Sequence, residues 1–269
     1  MNLKNRVAVL TGAGSGIGRA MAQALARRGC QMALADVNPQ GLHETAGLVE
    51  AQGGRVSQHM MDVANREQVA ALPAAVLQAH GRVDILINNA GVAVGGTFEQ
   101  VSEADFDWLM AINFHGVVRM TRAFMPMLRA SDQARIVNIS SVFGLISPPG
   151  QTAYSASKFA LRGFSNALRH ELAGSTVGVT VAHPGGVATA IARSGRIPAG
   201  AAAAEVKERL DLAEKMLRMP AAKAGEIIVT AIEREHDRVL VGLDAKILSV
   251  LERLSPVHYW RLLGHWVPP

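Results

Sequence analysis

Short apolar runs alternate along the chain with longer stretches in which apolar positions recur at helical spacing. The runs are Val7–Leu10, Met32–Ala35, Arg55–Met60, Val83–Ile87, Arg135–Ile139, Val177–Ala182 and Arg238–Val241. The helical stretches include Gly18–Arg28, Gln40–Ala51, Arg66–Ala79, Ala104–Leu128 and Thr152–Leu172. Alternation of β and α at this spacing predicts an α/β fold, a doubly wound, seven-stranded parallel sheet with helices on both faces. Valine-rich runs without polar alternation agree with strands covered on both sides. Ligands of such sheets bind beyond the carboxyl ends of the strands.

Residues 189–220 interrupt the rhythm. Gly195, Pro198, Gly200 and Ala201–Ala204 lead into a charged helical stretch, Glu205–Arg218. Such an excursion between core elements reads as a lid, with a plain surface insertion as the alternative. Near the C-terminus Ile247, Leu248, Leu251 and Leu254 form a helical stripe, followed by Tyr259, Trp260, Arg261 and Trp266. The expected organisation is one domain over residues 1–245 and an apolar, aromatic tail over 246–269. The tail has three readings: docking on the chain's own core, covering a neighbouring subunit's pocket, or weak contact with a membrane interface.

Composition narrows the classes. At 49% hydrophobic and 18% charged, a chain of 269 residues can bury a sizeable core. The single cysteine, Cys30, excludes a disulfide framework and a thiolate metal site, and reads as a small buried residue at a helix–strand junction. The histidines are scattered without metal-ligand spacing, so no metal is expected. A net charge of +5 is dispersed among few aromatics, which suits solubility and attraction for an anionic cofactor rather than nucleic acid. No apolar run reaches membrane-spanning length, and no signal peptide fits before the first strand, so a cytoplasmic location is expected.

The octapeptide Thr11-Gly12-Ala13-Gly14-Ser15-Gly16-Ile17-Gly18 follows the first apolar run. It fails the Gly-x-Gly-x-x-Gly dinucleotide fingerprint in either register, and no Gly-Lys-Ser/Thr follows to make a P-loop. Gly12, Gly16 and Gly18 instead fit Gly-x-x-x-Gly-x-Gly. The physics is shared: a tight turn leaves a strand, bare backbone approaches a pyrophosphate, and a helix N-terminus faces its charge. Asp36 ends the second run, 18 residues after Gly18. A carboxylate there accepts hydrogen bonds from an adenosine ribose diol and repels a 2′-phosphate, and Val37 offers no compensating cation, so NAD is preferred over NADP.

Tyr154 and Lys158 are four residues apart in a helical stretch and share its face. A nearby cation lowers a phenol's pKa from about 10, giving a proton donor and acceptor useful near neutral pH.

Together these features resemble the short-chain dehydrogenase/reductase family, from Arg6 to about Val241. The matching motifs are the glycine octapeptide, Asp62-Val63, Asn88-Asn89-Ala90-Gly91, Asn113, Ser141, Tyr154-x-x-x-Lys158 and Pro184-Gly185-Gly186-Val187-Ala188-Thr189. The resemblance implies a Rossmann-like fold and residue roles. Tyr154 would be the general acid/base, Lys158 its pKa modulator and ribose ligand, and Ser141 the hydrogen-bond partner of the substrate oxygen. Neighbouring Ser140 is the rival, since strand alternation lets only one of the pair face the site. Asn113 would hold a proton-relaying water, with helix packing as its plainer role. The cofactor would be bound by Gly12, Ser15, Gly16, Ile17, Gly18, Asp36, Asp62, Val63, Asn88, Asn89, Ala90, Gly91, Tyr154, Lys158, Pro184, Gly185, Val187 and Thr189. Asp62 would contact adenine, Asn88 would line the groove, and Thr189 would meet the nicotinamide carboxamide. His183 reads as a strand-end residue rather than a base.

The substrate cleft should draw on Ala93-Val94-Gly95, Val142–Pro149, Val187 and the lid. Phe143, Leu145 and Ile146 make it apolar, so a small hydrophobic alcohol or ketone is expected, unless Arg193 or Arg196 of the lid turns inward. The resemblance also implies a homodimer or homotetramer through the helical stretches Asn113–Leu128 and Thr152–Leu172. Two rivals to an NAD-dependent oxidoreductase are a catalytically silent NAD-binding regulator, disfavoured by intact Ser141, Tyr154 and Lys158, and a sugar-nucleotide epimerase, disfavoured by the short C-terminal part.

Overall fold

The computed structural model describes residues 1–199 and 201–264. Gly200 and Trp266, named above, lie outside them. In chain order the elements begin with β1 (Val7–Thr11), α1 (Gly16–Ala26), β2 (Gln31–Asp36), α2 (Pro39–Glu50), β3 (Val56–Met60), α3 (Arg66–His80) and β4 (Ile85–Asn88). There follow α4 (Glu103–Met110), a π-helical turn (Ala111–Gly116), α5 (Val117–Ala130), β5 (Ala134–Ile139), a 3-10 turn (Val142–Gly144), α6 (Thr152–Glu171) and β6 (Val177–Pro184). The chain continues through β7 (Val187–Ala188), α7 (Ala203–Met216), β8 (Met219–Pro220), α8 (Ala221–Glu233), β9 (Arg238–Val241), α9 (Leu243–Leu254) and α10 (Tyr259–Leu263).

Seven strands form one parallel sheet in the order β3-β2-β1-β4-β5-β6-β9. Alternation along β1 sends Ala8 and Leu10 to one core and Val7 and Val9 to the other, all fully buried. The first core is completed by Met21 and Leu25 of α1, Leu42 and Val49 of α2, and Ile228 and Ile232 of α8. The second is completed by Leu72 and Val76 of α3 and by Met120, Phe124 and Leu128 of α5. Each such side chain contributes roughly 1.5–3 kcal/mol of burial. The doubly wound sheet predicted from the apolar runs is therefore the observed one. Edge strand β3 departs from the apolar rule, with Ser57, Gln58 and His59 in its middle, because it has a neighbour on one side only.

Local chemistry sets the ends. Asn38 caps α2, accepting from Gly41 N at 3.1 Å, with Pro39 in the first turn. Asn65 caps α3, and Gly81 closes it in a left-handed conformation. The continuous helix expected over Ala104–Leu128 is instead broken by the π-helical turn, which contains Asn113. The lid region starts and ends in a two-stranded ribbon, β7 with β8, and carries α7. The expected tail boundary at residue 246 falls within α9. No helix among the described residues is long and apolar enough to cross a membrane.

Candidate active site

The chain winds outward from β1 to β3 and then returns to start β4 on the other side of β1. That reversal opens a crevice at the carboxyl ends of β1 and β4. Its floor is the glycine turn. Gly12 and Gly16 have φ of +63° and +51°, a region that disfavours side chains. A Cβ on Gly18 would overlap the Gly12 carbonyl oxygen, so α1 starts hard against the turn. Ser15 is the exposed N-cap of α1, makes no side-chain cap bond and has no acid in the following turn. The first N–H groups of α1, around Gly16, Ile17 and Gly18, therefore face the crevice as an anion cradle.

Across the crevice, Asn89 supports the turn, donating from Nδ2 to the carbonyls of Thr11 and Gly12 at 3.1 and 2.9 Å. Thr11 Oγ1 accepts from the amides of Asn89 and Ala90, both at 3.1 Å. Asp36 turns its carboxylate back on the same turn, accepting from Gly14 N at 2.7 Å and from Asn38 N at 2.9 Å. Asp62 follows β3 next to Asp36: Met61 N donates to Asp36 O, and Asp62 Oδ1 accepts from Ala64 N at 2.8 Å. Val63 is nearly buried beneath it. On the far wall Pro184 ends β6, Gly185 N donates to Val241 O, and Val187 is buried in β7. Thr189 approaches Gly16, whose Cβ would lie 3.2 Å from its methyl group. Bare glycine backbone, open helix amides and flanking carboxylates fit a dinucleotide with a pyrophosphate at α1 and a ribose near Asp36.

Asn88 is held within the sheet. As the last residue of β4 it alternates away from the crevice and is buried, donating to Asn138 Oδ1 at 2.9 Å and to Thr121 Oγ1 at 3.4 Å. It ties β4 to β5.

The reactive group lies where β5 and α6 meet. Ser140 and Ser141 separate as strand alternation requires. Ser140 is buried and donates to the Lys158 carbonyl at 3.0 Å. Ser141 faces the other way, caps the 3-10 turn by accepting from Phe143 N at 3.1 Å, and hydrogen-bonds the Tyr154 phenol. The Phe143 ring meets Tyr154 edge-on, centroids 6.1 Å apart. One turn along α6, Lys158 Nζ sits 5.5 Å from the Tyr154 ring centroid and donates to Ile139 O at 3.0 Å. Burial pushes the Tyr154 phenol up to about 12, with the Ser141 bond pulling the other way. Burial pushes the Lys158 ammonium down to about 8.

Asn113 and Gly91 close this side. A Cβ on Gly91 would stand 3.3 Å from Asn113 Oδ1 and 3.6 Å from Lys158 Nζ. The Asn113 amide accepts from Val92 N at 2.8 Å and donates to Val92 O at 3.0 Å and Ser157 Oγ at 3.2 Å. These bonds tie the π-helical turn to the loop after β4 and to α6.

The cleft walls hold surprises. Leu145 and Ile146 are buried, while Phe143 meets Tyr154 edge-on and Val94, Leu109 and Ala153 form an apolar cluster against which Tyr154 also packs. Both lid arginines are engaged elsewhere. Arg193 pairs with Glu214 at 3.4 Å. Arg196 pairs with Asp105 at 2.8 Å and stacks on Trp108 at 3.7 Å. His183, the expected strand-end residue, donates from Nδ1 to the Ser141 carbonyl at 3.0 Å. Asp244 went unnoticed in the sequence. It accepts from Gly186 N at 2.6 Å and so holds the glycine bend of the far wall. An acid two residues past Gly242, where a strand ends and a helix starts, was the available signal.

Comparison with known proteins gives consistent matches. The short chain dehydrogenase family model matches residues 6–198. A Mycobacterium tuberculosis protein named SadH is 42% identical over 265 residues, covering 98% of this chain and 95% of its own. A Burkholderia phymatum short-chain dehydrogenase/reductase, solved in complex with NAD, superposes with a TM-score of 0.87 at 33% identity, over 95% of each chain. A metagenomic short-chain oxidoreductase in complex with NADP gives a TM-score of 0.66 at 36% identity, covering 70% of this chain and 85% of its own.

Proposed function

The chain belongs to the short-chain dehydrogenase family, oxidoreductases that act on CH–OH donors with NAD or NADP, and from that premise we propose that it is an NAD-preferring enzyme interconverting hydrophobic secondary alcohols and ketones. The observation that carries the proposal is the meeting of the Ser141 and Tyr154 hydroxyls beside buried Lys158, at the mouth of the glycine crevice.

In this reading Ser141 orients the substrate oxygen and Tyr154 exchanges its proton. Tyr154 takes the hydroxyl proton during alcohol oxidation and returns it during ketone reduction. When bound, the nicotinamide supplies the hydride acceptor or donor and, oxidised, a positive charge that favours the Tyr154 phenolate. Lys158 adds a second positive charge to a phenol that burial, opposed by Ser141, leaves near 12. Gly12, Ser15, Gly16, Ile17 and Gly18 hold the pyrophosphate, while Asp36, Asp62, Val63, Asn89 and Ala90 hold the adenosine end. Gly91, Pro184, Gly185, Val187 and Thr189 flank the nicotinamide.

Two features support the finer choices. Asp36 is taken as the ribose end, and Arg19, which reaches the same turn, is engaged by Glu44 at 2.8 Å and by Thr45 at 3.0 Å, which supports a ribose diol over a 2′-phosphate. Engagement of Arg193 and Arg196 leaves Phe143 to receive an uncharged, apolar substrate. The reading includes a cytoplasmic homodimer or homotetramer joined through α5 and α6, within a family that is commonly oligomeric.

A screen of hydrophobic secondary alcohols and ketones, with NAD(H) and NADP(H) side by side, tests the proposal. Turnover confined to small charged hydroxy acids, or to NADP(H), refutes it. In the same assay Tyr154→Phe should lose about 10²–10⁴-fold in kcat while still binding NAD(H). Unchanged turnover in that variant would remove Tyr154 from the chemistry.

A further inference from the structure

We propose that Tyr259 is a positioning residue for the substrate site, through which the C-terminal helices fix the wall that carries Phe143. The proposal rests on the ketone/alcohol reading above.

The Tyr259 hydroxyl accepts a hydrogen bond from Ser147 N at 2.8 Å, across 112 residues of sequence. That amide has few other options. Pro148 and Pro149 follow it, so Ser147 has the only backbone N–H of residues 147–149. Val142, Ile146 and Ala245 are buried in a small core of their own, against which Phe143, Leu240, Leu248, Tyr259 and Leu263 pack. This core is separate from the two that cover the sheet. It joins the turn after β5 to α9 and α10 and to little else.

Its position gives it a link to the chemistry. Ser141 caps the 3-10 turn whose first residue, Val142, is in this core. Phe143, the next residue, touches the Tyr154 ring. At the far end of the same wall, Gly150 O accepts from Gly96 N at 3.1 Å. The wall is thus pinned at Ser147 by Tyr259 and at Gly150 by the loop after β4. Without the first pin the aromatic wall of the cleft keeps the turn's own bonds and the Arg162 bond to Gly144 O but loses its tie to the C-terminal helices, while the glycine crevice, whose supports lie on β1, β2 and β4, is unaffected.

The test compares wild type with Tyr259→Phe, which removes one oxygen and keeps the ring. A second variant, Leu263→Ala, loosens the apolar contact and keeps the hydroxyl. Hydrogen exchange of the peptide containing Ser147 reads the pin directly and needs no turnover. We expect that exchange to quicken about threefold or more in Tyr259→Phe. In steady-state assays KM for a bulky hydrophobic ketone should rise about three- to tenfold in both variants, with kcat within about twofold and NAD(H) affinity unchanged. Unchanged Ser147 exchange overturns the proposal. Faster exchange with unaltered KM also overturns it, since the bond would then be structural only. A wild type that reduces no ketone overturns the reading beneath it, and a wild type that reduces ketones with KM insensitive to Tyr259 overturns the positioning role alone.

Discussion

Lys158→Met should stabilise the cofactor-free protein while abolishing its activity. Lys158 is 3% exposed, and its ammonium is held at about 8 instead of its ordinary 10.5. That displacement corresponds to roughly 3 kcal/mol at ~1.36 kcal/mol for each tenfold change in proton affinity. At pH 7 the group is protonated in the folded and the unfolded chain alike, so the folded state bears this cost in full. Methionine removes the charge and keeps most of the volume, but leaves the Ile139 carbonyl without the Nζ donor at 3.0 Å, a loss of ~1 kcal/mol or more. The expected net gain is ~1–2 kcal/mol, read as a rise of roughly 2–8 °C in Tm or as a higher midpoint in urea. The pH dependence is the sharper test. Between about 8 and 10.5 the folded wild type gives up its proton before the unfolded chain does, so wild-type stability rises with pH over that window. The advantage of Lys158→Met should therefore shrink from pH 8 to 10.5. A variant less stable than wild type at pH 7, or an advantage that does not change with pH, would refute the assignment of Lys158 as a destabilised buried cation.

Other expectations follow from the same geometry. Burial pushes the fully buried His183 down to about 4 from 6.5, so the unfolded chain takes up its proton first on acidification. Stability should fall by up to about 3 kcal/mol between pH 6.5 and 4, and urea titrations of His183→Asn should show a shallower acid limb. Asp36→Ala should raise the Kd for NAD about tenfold and that for NADP little, as measured by calorimetry, because the lost carboxylate is the proposed ribose partner and also the acceptor for Gly14 N. Gly18→Ala should weaken dinucleotide binding at least tenfold and destabilise the chain by about 1–3 kcal/mol, since its Cβ would overlap the Gly12 carbonyl oxygen.

What the sequence made legible divides along physical lines. Strands such as Val7–Thr11 and Arg238–Val241 are apolar runs bounded by turns, and the sheet needed little more than their spacing. The glycine turn was legible because bare backbone has few other uses at a strand end. Contacts between distant segments were not. Asn88 reads as part of a groove motif, yet its place at the end of β4 turns it toward Asn138 and Thr121. A continuous apolar pattern over Ala104–Leu128 conceals the π-helical turn at Asn113, because an inserted residue changes hydrogen bonding without changing polarity. Ile146 reads as cleft lining because its apolar character is visible, while the helices it packs against lie about a hundred residues on. In the tail, Tyr259 and Leu263 dock on the chain's own turn after β5. The outer side of α9 leaves Leu243, Ile247, Val250 and Leu254 exposed.

The two halves of the site face opposite electrostatic demands, and the fold meets them on different elements. Anion binding needs uncompensated positive potential, and the crevice supplies it from the amides at the start of α1, while Arg19 is paired with Glu44. Proton transfer needs a cation near a phenol in an apolar setting, where an ammonium is costly to hold. Lys158 meets that need because α6 places it one turn from Tyr154 and against the end of β5, where the Ile139 carbonyl compensates part of its desolvation. An arginine in its place would stay charged through the whole range, but its planar group would not fit a single carbonyl and the space beside Gly91. The choice of lysine thus follows from the small volume at the meeting of β4, β5 and α6 as much as from its charge.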